Sequence, residues 1–265
     1  MKLRISCVSD VGRIRDNNED MASAGMYLIR DNSLNIEKEV IENETFCLLV
    51  SDGMGGHESG EYASQFTLET LRAYLLDKSL EHHNPIFELK LKIESISANL
   101  NAKACERHQG KAMGCTLTGI VWMQGKTLLV NIGDSRTYRL RDGMLRQLTS
   151  DQTLHERDMV PLPAGKALYN CIGAGCDTEA YILDITDRLM ESDRILICSD
   201  GLSDMLEDDA IERLLASGST EESCAALIDA AKITTIDSFC LSVLRDHTDS
   251  LEADPAFRVG GEEEL

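Results

Sequence analysis

Two stretches of this 265-residue chain end in the same way. Phe46-Cys47-Leu48-Leu49-Val50 runs into Ser51-Asp52-Gly53, and Ile195-Leu196-Ile197-Cys198 runs into Ser199-Asp200-Gly201. A run that is apolar at every position reads as a central strand. Each of these places a carboxylate at its end, followed by a glycine that lets the chain turn sharply. Asp134, in Asn131-Ile132-Gly133-Asp134-Ser135-Arg136, joins two further apolar runs, and Asp237 precedes another. One Asp-Gly alone is an ordinary turn. Several are another matter, because central strands in one small domain bring their ends together. Two carboxylates about 4 Å apart repel by roughly 4 kcal/mol at an effective dielectric of about 20. Such a cluster persists only where protons or cations neutralise it, and oxygen-only donors suit Mg²⁺ or Mn²⁺ rather than zinc or copper.

Periodicity supplies the surrounding elements. Residues 3–9, 45–50, 117–122, 127–132, 137–140, 181–185, 194–198 and 239–244 read as strands, and Gln124-Gly125 and Asp142-Gly143 suit tight hairpins, so the middle of the chain is antiparallel. Apolar residues at i, i+3 and i+4, as in Ile86, Leu89, Ile93, Ile96 and Leu100, mark helices over 60–76 and 85–106. Shorter helices are expected at 208–216, led by Glu207-Asp208-Asp209, and at 220–232. Strands grouped together, with helices outside them, predict sheets packed on each other and covered by helices.

With 26 Lys+Arg against 46 Asp+Glu the net charge is −20. Nucleic acid and anionic membrane surfaces repel such a chain. No run of about eighteen apolar residues predicts a membrane span, and residues 1–6 lead straight into a strand pattern rather than a signal peptide. The nine cysteines are odd in number and form no C-x-x-C pair, which favours buried thiols in a reducing cytosol over a zinc site or disulfide framework. Cys47 and Cys198 read as core thiols. Cys171 and Cys176 frame Ile172-Gly173-Ala174-Gly175 and read as a Gly-rich turn rather than a redox pair. A cytoplasmic monomer is expected.

Near the start, Arg15-Asp16-Asn17-Asn18-Glu19-Asp20 sets acids beside an arginine whose planar fork can hold a phosphate bidentately. Alone it reads as an exposed charged loop; beside a divalent-metal carboxylate cluster it is what phosphoryl chemistry requires. Together with what precedes it, Ser9-Asp10-Val11-Gly12-Arg13-Ile14-Arg15-Asp16-Asn17-Asn18-Glu19-Asp20 resembles the opening S-D-x-G-x-x-R-x-x-N-E-D of bacterial metal-dependent Ser/Thr protein phosphatases, the protein phosphatase 2C family. Further blocks resemble that family in the same order. They are Ser51-Asp52-Gly53-Met54-Gly55-Gly56-His57 with Gly60-Glu61-Tyr62-Ala63-Ser64, then Gly114-Cys115-Thr116-Leu117, Gly133-Asp134-Ser135-Arg136-Thr137-Tyr138, Leu148-Thr149-Ser150-Asp151, Ser199-Asp200-Gly201-Leu202-Ser203-Asp204, and Asp237 before the last strand.

The resemblance implies an α+β fold, a four-layer αββα sandwich of two antiparallel sheets covered by helices on both outer faces. It implies one phosphatase domain over 1–247, a short flap at about 153–168, and an acidic tail at 248–265. It also implies roles. Asp52 would bridge two Mn²⁺ or Mg²⁺ ions. Glu19 and the Gly53 carbonyl would complete one shell, Asp200 and Asp237 the other, with Asp20 acting directly or through water. A third, weaker ion would use Asp134, Asp200 and Asp204. Arg15 would clamp the substrate phosphate, and Arg15, Asp52 and Asp200 would be catalytic. The substrates would be phosphoserine and phosphothreonine proteins, and the partner an opposing bacterial-type Ser/Thr kinase.

The chain departs from the pattern in three places. Met54 stands where eukaryotic relatives carry histidine, Gln152 stands where histidine usually follows the Asp151 block, and Ser238 follows Asp237 in place of asparagine. Ser238 and the short flap support a rival expectation, a catalytically weak pseudophosphatase that binds phosphoproteins or a kinase.

Overall fold

The protein is described from a computed structural model covering residues 1–12, 16–41, 44–56, 58–77, 83–107 and 113–232. In chain order the strands and helices are β1 (Lys2–Val8), β2 (Met21–Ala24), β3 (Tyr27–Ile29), β4 (Ser33–Glu39), β5 (Phe46–Ser51), β6 (Gly53–Met54), α1 (Glu58–Leu75) and α2 (Pro85–Arg107). Next come β7 (Gly114–Cys115), β8 (Leu117–Met123), β9 (Lys126–Ile132), β10 (Arg136–Arg141) and β11 (Met144–Gln147). Then follow α3 (Leu154–Asp158), β12 (Ile172–Gly173), β13 (Tyr181–Asp184), β14 (Arg194–Cys198), α4 (Asp200–Ser203), α5 (Asp208–Ala216) and α6 (Thr220–Lys232). Asp237 and the expected strand at 239–244 lie outside the described residues, as does Arg15.

One six-stranded sheet has the order β13-β9-β8-β5-β2-β3. Facing it are two pieces, β1-β4 and β11-β10-β14, and a small sheet, β12-β7-β6, continues from the ends of β5 and β8. Side-chain alternation explains the layering. Along β5, Cys47 and Leu49 join α1 and α2 residues such as Leu68, Leu71, Ile93 and Leu100 in one core. Phe46, Leu48 and Val50 point the other way, into a second core with Ile5 of β1 and Ile195 and Ile197 of β14. Leu196 and Cys198 point outward again, onto Ile211, Leu215 and Leu227 of α5 and α6. The layers therefore run helix, sheet, sheet, helix. A central strand in this arrangement is buried on both faces, which is why its sequence is apolar at every position rather than alternating.

The two hairpins form as read. Gln124 and Gly125 have φ of 52° and 71°, and Asp142 and Gly143 have 51° and 76°. Positive φ at both central residues is the turn geometry whose twist matches two antiparallel strands. Between β5 and β8, a Cβ at Gly119 would run into the carbonyl of Leu48, and the residue sits at φ +142°. Only glycine lets these strands approach as they do.

Candidate active site

β5 delivers Asp52 to the edge of the fold, and the start of β8 holds it there. The Asp52 amide donates to Thr116 Oγ1 at 3.0 Å, the Thr116 amide donates back to the Asp52 carbonyl at 2.9 Å, and Ser51 Oγ donates to the Thr116 carbonyl at 2.7 Å. Thr116 Oγ1 also meets Ser135 Oγ at 2.7 Å. That contact ties the Asp52 corner to the Asp134 loop, where Gly133 at φ +97° leaves no room for a Cβ beside Thr116.

The neighbouring acids come from distant parts of the chain. Asp20, only 3% exposed, receives a hydrogen bond on Oδ2 from Ser199 Oγ at 2.6 Å. Asp200 follows immediately and begins the single turn of α4. The Asp52 carboxyl is held well above the ordinary carboxylate range, first by removal from water and then by the charges of Asp20, Asp200 and Asp134; its hydrogen bond to Asp200 acts in the same direction. Asp134 is pushed up to about 7, again first by removal from water, then by Asp200, with Asp151 and Asp204 adding to it. Asp52 thus feels carboxylates from three other segments of the chain.

Glu19 is fixed from behind. A Cβ at Gly60, in the first turn of α1, would run into Glu19 Oε2, and a Cβ at Gly53 would run into the Gly60 carbonyl and come within 2.6 Å of the Glu19 carbonyl. The two glycines form a cradle against which the Glu19 carboxylate and the Gly53 backbone both lie. Sequence reasoning did not find Arg30. Its guanidinium donates to the Asp20 carbonyl (2.9 Å), to Glu61 Oε1 (3.1 Å) and carbonyl (2.9 Å), and to Ser64 Oγ (2.8 Å), and Ser64 Oγ in turn donates to the Glu19 carbonyl (2.5 Å). A lone arginine after a short apolar run gives no periodic signal, and its partners on α1 lie more than thirty positions away in sequence.

The family model described as Protein phosphatase 2C matches residues 33–230. The chain belongs to the protein phosphatase 2C family. It is 34% identical over 242 residues to a curated protein of Mycobacterium tuberculosis named serine/threonine protein phosphatase PstP, which covers 86% of this chain. The chain spans only 42% of that relative's length. It is 29% identical over 229 residues to serine/threonine phosphatase stp of Listeria monocytogenes, covering 80% of this chain and 82% of that protein. The crystal structure of the PstP catalytic domain in complex with two manganese ions superposes with a TM-score of 0.69 at 28% identity, covering 93% of this chain and all of that one.

Within this family frame, Gln152 is a brace. Its Oε1 accepts from the Gly133 amide at 2.8 Å and from Asn170 Nδ2 at 2.7 Å. Asp151 is spanned by Arg136, whose Nε and Nη2 reach its two oxygens at 2.7–3.0 Å. Residues 153–168 are closed at their base by a bridge between Thr153 and Leu168, carry α3 and a short 3-10 turn at Ala164–Lys166, and pair Lys166 with Asp204. Cys47 and Cys198 are buried core thiols, pushed by burial up to about 11 and about 12.

The donor chemistry fits hard divalent cations. The convergent groups are carboxylates whose proton affinity is raised by loss of water and by each other, so positive charge placed among them relieves repulsion. Among the described residues, no three His, Cys, Asp or Glu side chains are gathered into a ready-made cation site. Asp237, the remaining expected ligand, lies outside them. Asp204 stands at the rim, engaged by Lys166.

Proposed function

We propose that this chain is a metal-dependent protein serine/threonine phosphatase that hydrolyses phosphoserine and phosphothreonine on proteins. The observation that carries the reading is that the charges of Asp20, Asp134 and Asp200, from three other segments of the chain, all act on the buried Asp52 carboxyl. Support comes from the names of the relatives and from the two manganese ions in complex with the PstP catalytic domain.

Asp52, Glu19, the Gly53 carbonyl, Asp20, Asp200 and Asp237 would hold two Mn²⁺ or Mg²⁺ ions, and Asp134, Asp200 and Asp204 a third, weaker one. Bound there, divalent ions supply positive charge against the phosphoryl oxygens and lower the pKa of the attacking water. The protein's own part is to hold its carboxylates in place before substrate arrives. Thr116 and Ser51 fix the Asp52 corner, Ser199 holds Asp20, and Arg30 with Ser64 pins the backbone of Glu19 and Asp20. Arg15 would pair its guanidinium with the non-bridging phosphoryl oxygens, offsetting charge there so that binding rather than covalent chemistry carries the reaction. The scissile ester oxygen leaves as the Ser or Thr hydroxyl, and inorganic phosphate is the other product.

The same reading makes residues 1–247 one domain with 248–265 as an acidic tail. It places the protein as a monomer in the cytoplasm, in signalling opposite a Ser/Thr kinase. No helix among the described residues is long and apolar enough to cross a membrane.

The test is hydrolysis of a phosphothreonine peptide by the purified chain, titrated with Mn²⁺ and Mg²⁺ against a chelated control. Turnover is expected with metal and none in chelator. Divalent binding by calorimetry without turnover would replace this reading with the pseudophosphatase one.

A further inference from the structure

Eight cysteines lie among the described residues, and several are sealed into the sheets and helices around the core. Cys47 shares its thiol with Ser23, and Cys115 with Thr67. Cys171 and Cys176 differ, because the Cys171 thiol donates to Cys176 Sγ at 2.9 Å. A disulfide bond is about 2.05 Å long, so the two sulfurs need to close by only about 0.9 Å.

The contact is held rather than met by chance. Between the two cysteines the chain makes a tight turn, with Ala174 and Gly175 at φ 50° and 75° and the Cys176 amide donating to the Gly173 carbonyl at 2.9 Å. The turn is strapped to its surroundings by three further bonds. The Ala174 amide donates to the Met113 carbonyl (2.7 Å), the Gly175 amide to Asn101 Oδ1 (2.8 Å), and the Gly173 amide to Ser97 Oγ (2.9 Å). Cys171 is buried, whereas Cys176 is half-exposed and open to a small oxidant.

We propose that Cys171 and Cys176 are a reversible redox-modification site, which hydrogen peroxide closes into an intrachain disulfide. Cys176 reacts first, because it is the accessible sulfur. Its thiolate attacks one peroxide oxygen, forming an S–O bond as the O–O bond breaks and hydroxide leaves. The Cys171 sulfur then attacks the resulting sulfenic acid, forming the S–S bond and expelling a second hydroxide. The two protons released by the thiols convert both hydroxides to water. In sum, two thiols and one peroxide give one disulfide and two waters, with two electrons passing from sulfur to peroxide. A dithiol reductant reverses the change by thiol–disulfide exchange.

Asp177, which follows Cys176 in the chain, carries negative rather than positive charge, so the first step is not where this arrangement gives its advantage. Proximity helps the second step instead, since the resolving sulfur is already in contact. The turn follows β12, which pairs through β7 with Gly53 of β6. Closing the disulfide tightens a strap behind the active-site sheet without touching any carboxylate.

The sequence makes the test clean. Trypsin cuts after Lys166 and Arg188, and the fragment 167–188 contains Cys171 and Cys176 and no other cysteine. The full chain, carrying Cys105→Ser because Cys105 is exposed, is treated with hydrogen peroxide, cleared of peroxide, unfolded in the presence of N-ethylmaleimide so that buried thiols are also labelled, and digested. The expected result is a 167–188 fragment lighter by two hydrogens and free of maleimide, which returns to the doubly alkylated form after dithiothreitol. Cys171→Ser should leave a sulfenic acid at Cys176 that dimedone captures, and Cys176→Ser should leave Cys171 unoxidised. The oxidised protein should melt a few degrees above its reduced form, a difference absent from both variants. Two maleimides on the fragment after peroxide, a sulfinic acid at Cys176 without cross-link, or oxidation of Cys171 in Cys176→Ser would each overturn the assignment. An unchanged melting temperature despite a mapped disulfide would overturn the tightening.

Discussion

The two Ser-Asp-Gly ends begin from the same sequence and finish in different structures. After Asp52 the chain stays extended into β6, with Gly53 paired to Cys115 and pressed against Gly60. After Ser199 it turns into α4, with Asp200 as the first helical residue. The serines part ways too. Ser51 Oγ donates to a backbone carbonyl, whereas Ser199 Oγ donates across the site to the Asp20 carboxylate. A shared tripeptide thus fixes where a carboxylate emerges, and the neighbours decide what the backbone does next. Strand β7 is available to pair beside Gly53, while the β14 end meets the layer of α5 and α6. The acids divide likewise: Asp20 is the first charge felt by Asp52, and Asp200 the first felt by Asp134.

Removing the two aspartates one at a time breaks this comparison most severely. Asp52→Asn should abolish metal-dependent turnover, while far-ultraviolet circular dichroism and the fold stay unchanged. Asp200→Asn should cost less, because Asp52 is the group expected to serve both ions. Steady-state kinetics at saturating Mn²⁺ decides the order, and substantial residual turnover in Asp52→Asn would refute its bridging role.

The split between the acids can be sharpened with pH. A carboxyl whose folded pKa is raised from 3.8 to about 7 binds its proton more tightly in the folded state. Its contribution to stability is full at low pH and is lost as pH climbs through about 7. In chelator, wild-type protein should therefore lose stability to urea between about pH 4 and pH 8. Asp134→Asn should lose less, by at most about 4 kcal/mol and by less where solvent screens the site. Asp200→Asn should relieve the same loss more than Asp20→Asn, since Asp200 is the first charge facing Asp134. Equal relief by both would merge the two groups into one.

The glycines come next in size. A Cβ at Gly53 has no space, so Gly53→Ala should destabilise the protein by about 2–3 kcal/mol in urea unfolding and weaken metal binding along with it. Gly201→Ala, in helical backbone at α4, should cost less. Similar losses at both positions would mean that close approach is not what distinguishes Gly53.

Much of this was legible in the sequence, for reasons tied to particular elements. β5, β8, β9 and β14 are apolar at nearly every position because they are buried on both faces, and α2 shows its buried stripe plainly. β2, with the sequence MASA, carries no strand pattern, and β4 alternates only between exposed and half-buried positions. The two-residue strands β6, β7 and β12 exist through their pairing rather than through any local preference. Asp52 and Asp200 could be named because they terminate apolar runs and Asp134 because it joins two predicted strands, whereas the roles of Glu19, Asp20 and Asp204 came from the family resemblance. Arg30, Ser64 and Ser199, which hold them, could not, because a hydrogen-bond partner across the fold leaves no trace in local spacing. Likewise, the Gly-rich turn at 172–175 was readable from its glycines, whereas the meeting of its two sulfurs depends on straps from α2 and Met113.

The smallest effects bear most directly on what the serines do. Ser51→Ala removes a neutral hydrogen bond to the Thr116 carbonyl and should cost about 1 kcal/mol of stability, with little change in metal affinity. Ser199→Ala removes a bond to a carboxylate that would otherwise be oriented and partly neutralised before metal arrives. It should lower divalent affinity by about 10-fold or somewhat more, the range found when a group supporting a ligand is lost, for a comparable cost in stability. Calorimetry with Mn²⁺ and urea unfolding in chelator separate the two quantities. If both variants lose stability alike and neither moves metal affinity, Ser199 is simply another strand-end hydroxyl. The asymmetry between the two Ser-Asp-Gly ends would then lie in the backbone alone.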